Sequence, residues 1–312
     1  MQQYPAKLLL FGEHVLLLGA SALAVPVPAF ALAPRFGGKN PDSGEMLQKL
    51  KQFAASAELA SVAGIDRQSF ISDLENGLYF ESGIPEGYGL GSSGALCAAV
   101  YDHYCREKTT DPGELKSVFA RMESFFHGSS SGIDPLTSYL GKPLLIRHKT
   151  EVSVAEMKPW ASAPVIFLLD TRLPRRTGPL VQWFLERSRE PAFAKKLEEQ
   201  LLPAHETMVR AWLNAEAETF WTALKGVSVF QLHHFQPMIP DVVRPLWVES
   251  EKSGEFCLKI CGAGGGGYVL GFARNRATAV AAGAGFPVLF PFDLPGADTI
   301  VYPTKHATEN GD

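Results

Sequence analysis

Three groups of residues in this chain have the types and spacing to do chemistry. The first is Pro85-Glu-Gly-Tyr-Gly-Leu-Gly-Ser-Ser-Gly94, which runs directly into an apolar helical stretch at 95–105. Glycines let backbone approach a ligand closely, and the open amides at a helix start favour an anion. Ser92 and Ser93 add hydroxyls that can cap the helix, bind a phosphate oxygen or coordinate Mg²⁺. A glycine turn with a serine cap would use the same letters. The second group is a carboxylate on a helix. Leu115, Val118, Phe119, Met122 and Phe126 form one apolar stripe, and Glu123 lies at its edge, where it faces either a cleft or solvent. The third group is cationic: His14, His127, His233, His234, Arg172, Arg175 and Arg176. His127, beside a glycine, reads as structural, whereas Gly12-Glu13-His14 raises His14 above that level. One ring of the His233-His234 pair belongs in a core. The arginines either fork onto a substrate carboxylate or form a solvated turn.

Several classes are excluded by pattern. Gly89-x-Gly91-x-x-Gly94 matches the dinucleotide fingerprint by letter, but the next element is helical and Asp111 starts another helix, so the acid required after a second strand is missing. Gly262-x-Gly264-x-x-Gly267 lies between two strand-like runs rather than before a helix. No Walker A sequence occurs. A net charge of -4 without a basic run argues against nucleic acid as a partner. Cys97, Cys105, Cys257 and Cys261 show neither zinc nor disulfide spacing and read as buried residues of a reducing cytoplasm. Residues 15–34 carry no charge over a membrane-spanning length, but Gly19, Pro26, Pro28 and Pro34 break them repeatedly, so no membrane partner is expected.

The elements that must position these groups follow from periodicity and punctuation. Strands are expected near 4–11, in two pieces across 20–35 interrupted by prolines, and at 78–81, 143–147, 152–157, 164–169, 256–260, 268–272 and 288–292. Helices are expected over 43–64 with Ser43 as cap, over 95–105, after Asp111 with Pro112 in the first turn, and through most of 177–254. Apolar residues at 46% and charged residues at 20% fit a globular enzyme of two domains, 1–160 and 161–312, with the boundary in the segment 158–164. Strict βαβ alternation is absent, which favours an α+β fold.

Three segments in order resemble the motifs of the GHMP kinase superfamily, which holds galactokinases, homoserine kinases, mevalonate kinases and phosphomevalonate kinases. They are Pro5-Ala-Lys7-x4-Gly12-Glu13-His14, Pro85-x3-Gly89-Leu-Gly-Ser-Ser93 and Lys259-Ile-Cys-Gly-Ala-Gly-Gly-Gly-Gly267. Glu123-x3-His127-Gly-x3-Gly132-Ile-Asp134, Asp170-Thr-Arg-Leu-Pro-Arg-Arg-Thr177 and Phe235-Gln-Pro-Met-Ile-Pro240 are similar to the short bacterial mevalonate kinase branch. The resemblance implies a ribosomal-protein-like N-terminal domain and a ferredoxin-like C-terminal domain, with substrates in the cleft between them. It implies that Gly89, Leu90, Gly91, Ser92 and Ser93 hold ATP, that Ser93 and Glu123 bind Mg²⁺, and that Asp134 and Lys7 are the catalytic pair. Glu13, His14, Thr177 and Ala263 fall where the family contacts its substrate. Ala6 stands where glycine is usual and Gly94 where alanine is usual, both read as neutral exchanges of small residues. Residues 129–131 are Ser-Ser-Ser and lack a proline common in the family.

That set of residues suits phosphoryl transfer, in which catalysis is mostly positioning and charge stabilisation. Asp134 either accepts the hydroxyl proton or orients the hydroxyl. The expected reaction is ATP-dependent phosphorylation of a small alcohol, mevalonate first, by a monomer or homodimer. A phosphomevalonate, sugar or homoserine kinase and a catalytically silent nucleotide-binding homologue are the alternatives.

Overall fold

In a computed structural model, which describes residues 2–37, 44–174, 177–283, 285–293 and 300–301, strands and helices mix in an α+β arrangement. The described residues divide into two compact units between Glu156 and Met157. The first unit contains β1 (Tyr4–Phe11), a 3-10 turn (Val15–Leu18), β2 (Ala22–Phe36), α1 (Gly44–Ala55), α2 (Ala57–Ala60), α3 (Arg67–Glu75), β3 (Leu78–Ser82), α4 (Ser92–Tyr104), α5 (Pro112–His127), α6 (Ile133–Leu140), β4 (Leu144–Arg147) and β5 (Glu151–Val154). Its antiparallel sheet runs β1-β2-β4-β5, with β3 also paired to β2.

The two strands expected across 20–35 are one strand of 15 residues. Prolines fail to break it because of where they fall. Against β2, β4 takes Ala22 to Ala24 and β3 takes Leu32 to Phe36, so Pro26 and Pro28 lie between those pairings. On the β1 side the register jumps from Pro5 opposite Ala31 to Ala6 opposite Val27, and Pro28 falls in that bulge. A residue without an N–H is tolerated where no ladder bond is required of it. The same stretch contains no spanning helix; among the described residues no helix is long and apolar enough to cross a membrane.

The single helix expected over 43–64 is divided. α1 stops at Ala55, and Ser56 caps α2 by accepting from the Leu59 amide at 3.2 Å. Ser43 lies outside the described residues. α3, unanticipated from periodicity, is capped by Asp66, which accepts from Ser69 N at 3.0 Å. Asp111 caps α5 as its sequence requires, accepting from Glu114 N at 2.8 Å, with Pro112 in the first turn.

α4 is buried around its circumference from Gly94 to Tyr101 and packs against β1, β2, α5 and α6. Tyr101 of α4, Phe119 of α5 and Tyr139 of α6 form a ring cluster with centroids 5.1 to 5.4 Å apart, which joins the three helices that present the site. α6, also unanticipated, starts at the left-handed Gly132, where an added Cβ would stand 2.1 Å from Lys116 O and 2.8 Å from Ala120 N.

The second unit has its own antiparallel sheet, ordered β10-β9-β6-β8-β7, from β6 (Val165–Asp170), β7 (Phe256–Ile260), β8 (Tyr268–Ala273), β9 (Val288–Leu289) and β10 (Ile300–Val301). Its helices are α7 (Thr177–Arg187), α8 (Pro191–Lys196), α9 (Leu202–Asn214), α10 (Ala217–His234), α11 (Arg244–Ser253) and α12 (Arg276–Ala282). A π turn, Leu197–Leu201, links α8 to α9. The glycine run between β7 and β8 is a packing joint. Gly265 N donates to Met238 O at 2.7 Å, Gly267 N donates to Leu173 O at 2.8 Å, and a Cβ at Gly264 or Gly266 would collide with Met238 O or Pro174 O.

Gly132→Ala should be strongly destabilising, on the order of 3 kcal/mol or more, because both the backbone angle and the approach to α5 forbid a side chain. Thermal unfolding followed by circular dichroism checks this, and an unchanged midpoint would show that α5 does not hold the α6 start.

Candidate active site

The first unit carries a glycine-rich loop beside a charged pair. Gly87, Gly89 and Gly91 all adopt positive φ, and the chain turns through them into α4. No side chain caps that helix, in contrast to α5, so the first amides of α4 are presented without the usual hydroxyl or carboxylate partner. Ser92 and Ser93 therefore do not act as the cap that the sequence allows. Leu90 anchors the loop instead. Its side chain is buried, and its carbonyl accepts from Lys7 N at 2.8 Å, which ties the loop to β1.

Lys7 Nζ lies 2.6 Å from Asp134 Oδ1, with Lys7 buried on β1 and Asp134 in the first turn of α6. Ser93 Oγ donates to Glu123 Oε1 at 3.0 Å and lies 2.9 Å from His127 Nε2. Glu123 is 5% exposed, so it faces inward rather than onto a solvated flank. Its other oxygen accepts from Ser130, which in turn accepts from Gly132 N at 3.0 Å. Burial pushes the Glu123 carboxyl up to about 7, with the charge of Asp134 adding to the shift and Ser130, Ser93 and Lys7 opposing it. A cavity of about 250 Å³ adjoins Ser92, Ser93 and His127, with Phe80, Leu96 and Phe126 on its apolar wall.

Glu123 and Ser93 offer hard oxygen donors to a divalent cation, and a carboxylate penalised by burial is one that a cation would relieve. Among the described residues no group of three or more His, Cys, Asp or Glu is arranged to hold a metal by itself. Mg²⁺ fits such a sparse set, because it commonly takes one or two protein ligands and completes its shell with phosphate and water.

Glu13 and His14 are buried in the turn that closes β1, His14 with φ of 62°. Ala263 is buried in the glycine run of the second unit, and Thr177 begins α7 there. Arg172 is exposed, and Arg175 and Arg176 lie outside the described residues. His233 is exposed, while His234 packs on Phe230 at 4.6 Å between centroids, so neither ring is fully in a core. The four cysteines are buried and none is in a disulfide.

Two readings of the sequence change. His127 is not occupied only with local backbone, since its ring reaches Ser93; its place four residues after Glu123 on one helix was the available signal. Gly94 is not interchangeable with alanine. A Cβ there would come within 2.8 Å of Pro135 N and 2.9 Å of the Asp134 C and Cβ atoms, so glycine sets how closely α6 meets α4. Ser130 was missed because nothing in a run of three serines marks which one turns toward Glu123.

With divalent ions chelated, the folded state holds a proton on Glu123 more tightly than the unfolded chain between pH 4.5 and about 7. Stability should therefore fall as pH rises through that window and level off above it. Glu123→Gln should flatten this part of the profile in melting scans; an unaltered slope would assign it elsewhere. Gly94→Ala should push Asp134 away from Lys7, lowering kcat about tenfold or more while nucleotide affinity changes little. Steady-state kinetics beside equilibrium nucleotide titration separates the two quantities.

The family model for the GHMP kinases N terminal domain matches residues 63–142, the span that contains α4, Glu123 and Asp134. A mevalonate kinase from Archaeoglobus fulgidus is 26% identical over 297 residues, covering 87% of this chain and 92% of that one. Among solved structures, L. major mevalonate kinase in complex with R-mevalonate matches with a TM-score of 0.63 at 16% identity, covering 90% of this chain and 89% of that chain. Streptococcus pneumoniae phosphomevalonate kinase in complex with phosphomevalonate and AMPPNP matches with a TM-score of 0.60 at 15% identity, covering 90% and 94%. Matched domain, relatives and fold agree in direction: residues 63–142 match the GHMP kinases N terminal domain, and the chain is similar over most of its length to mevalonate kinases.

Proposed function

We infer that the chain transfers the γ-phosphoryl group of ATP to the terminal hydroxyl of mevalonate, giving 5-phosphomevalonate and ADP. The observation that carries this reading is the Lys7–Asp134 pair at 2.6 Å beside the uncapped start of α4. The choice of mevalonate rests on the relatives, which are mevalonate kinases matched over most of their length. Buried cysteines outside any disulfide fit a reducing cytoplasm.

In this reading the amides from Gly89 to Ser93 hold the phosphate chain, and the apolar cavity wall takes the base. Bound at Ser93 and Glu123, Mg²⁺ would supply charge neutralisation on the β- and γ-phosphate oxygens. Asp134 orients the acceptor hydroxyl and is placed to take its proton, while Lys7 holds Asp134 and stabilises charge at the acceptor oxygen. A bond forms between that oxygen and the γ-phosphorus. The bond from the γ-phosphorus to the bridging oxygen breaks, its electron pair leaving with ADP. Glu13 and His14, in the turn that closes β1, are assigned to the acceptor.

Purified protein with Mg·ATP, offered mevalonate, phosphomevalonate, galactose and homoserine in parallel, should turn over mevalonate with a kcat/KM at least about a hundredfold above the others. Asp134→Ala should lower kcat by about a thousandfold or more with ATP affinity nearly kept. Preference for another acceptor would move the enzyme within the superfamily, and ATP binding without transfer to any acceptor would mark a silent homologue.

A further inference from the structure

The hydrogen count around Ser93 gives His127 a role. Ser93 Oγ has one hydrogen and two neighbours at bonding distance, Glu123 Oε1 at 3.0 Å and His127 Nε2 at 2.9 Å. With Glu123 ionised, as a cation ligand must be, a hydrogen pointing at His127 would leave the Ser93 lone pairs facing the carboxylate, two acceptors in contact with nothing between them. The hydrogen therefore belongs on Glu123, and the remaining contact is satisfied only if His127 donates. The other side of Glu123 shows the same direction: Gly132 N donates to Ser130, and Ser130 donates to Glu123. Two chains of donors thus converge on one carboxylate.

We propose that His127 is a positioning residue that donates its Nε2–H to Ser93, fixing the serine hydroxyl so that its second lone pair and the open lone pairs of Glu123 point to one divalent cation. The inference rests on the reading of Ser93 and Glu123 as the cation's protein ligands. A hydroxyl is a rotor, and a neutral oxygen is a weak ligand unless its orientation is set in advance. His127 is exposed at the C-terminal end of α5, where its ring contributes little to folding. That location makes the role separable from stability.

The tautomer is the first test and needs neither nucleotide nor acceptor. Imidazole ¹⁵N spectra of the metal-free protein, recorded well above pH 7 where Glu123 is ionised, should show His127 with its proton on Nε2, and Ser93→Ala should shift that nitrogen; a proton on Nδ1 would overturn the proposal. The second test is Mn²⁺·ADP binding followed by electron paramagnetic resonance. His127→Leu should weaken binding by about tenfold, within the range of losses found when a group behind a metal ligand is removed. His127→Gln, whose amide nitrogen can occupy the Nε2 position, should recover most of it, with all melting temperatures unchanged. Equal losses in the two variants, or none in either, would reject a donor role. Because these readouts do not involve the acceptor, a failed mevalonate assay would leave them standing.

Discussion

A buried ammonium that must meet its counter-charge is the constraint around which the first unit is organised. Lys7 is 7% exposed on a strand of the sheet, and Asp134, across from it, lies on a helix start. Leaving that buried ammonium unpaired costs on the order of 3 kcal/mol, well beyond the ~1 kcal/mol of a surface ion pair. Everything that lets α6 approach β1 therefore matters. The carbonyl of Leu90 fixes the loop to the Lys7 amide, Gly91 leaves room for the Asp134 side chain at 3.4 Å, and Gly94 leaves room for its backbone. On the far side Gly132 lies against the α5 backbone, and the rings of Tyr101, Phe119 and Tyr139 hold the three helices at that spacing.

The same geometry sets the charge of the site. Glu123 and Asp134 interact electrostatically, and Lys7 is the cation that acts on both. Burial raises the Glu123 carboxyl most, and because one ammonium cannot neutralise two carboxylates, a surplus of negative charge from Asp134 adds to the rise. Serine donors on each Glu123 oxygen soften that surplus without removing it, since burial remains the largest cause. Such a site favours a further positive charge, which is the electrostatic reason for reading Glu123 as a cation ligand rather than as a general base.

How much of this was legible in the chain follows from the range of each signal. The strands with continuous apolar runs, the Asp111-Pro112 start of α5 and the glycine entry to α4 are local, and each lies close to where its residues place it. α6 was missed because eight residues opening Ile-Asp-Pro carry too few turns for a period, and it is held by contacts with α4, α5 and β1. The prolines of β2 misled because whether a missing N–H matters depends on the neighbouring strand, which lies far away in the sequence. Gly94 is the sharpest case. By letter it is a smaller alanine, and only the backbone of Pro135 opposite it gives the missing methyl a meaning.

Two glycine runs that share the letters Gly-x-Gly-x-x-Gly show why composition alone cannot name a ligand loop. In the first, the chain passes through Gly89 and Gly91 into a helix start that no side chain caps, so its first amides are left without a side-chain acceptor. In the second, Gly265 and Gly267 donate to Met238 and Leu173, and Thr171 closes the joint with a hydroxyl on Gly267 O at 2.7 Å. Both need glycine, the first for amides that must remain presented and the second for backbones that must touch. The distinguishing quantity is where the N–H groups are directed, and it separates a phosphate-binding reading from a packing one even when the sequences are interchangeable by pattern.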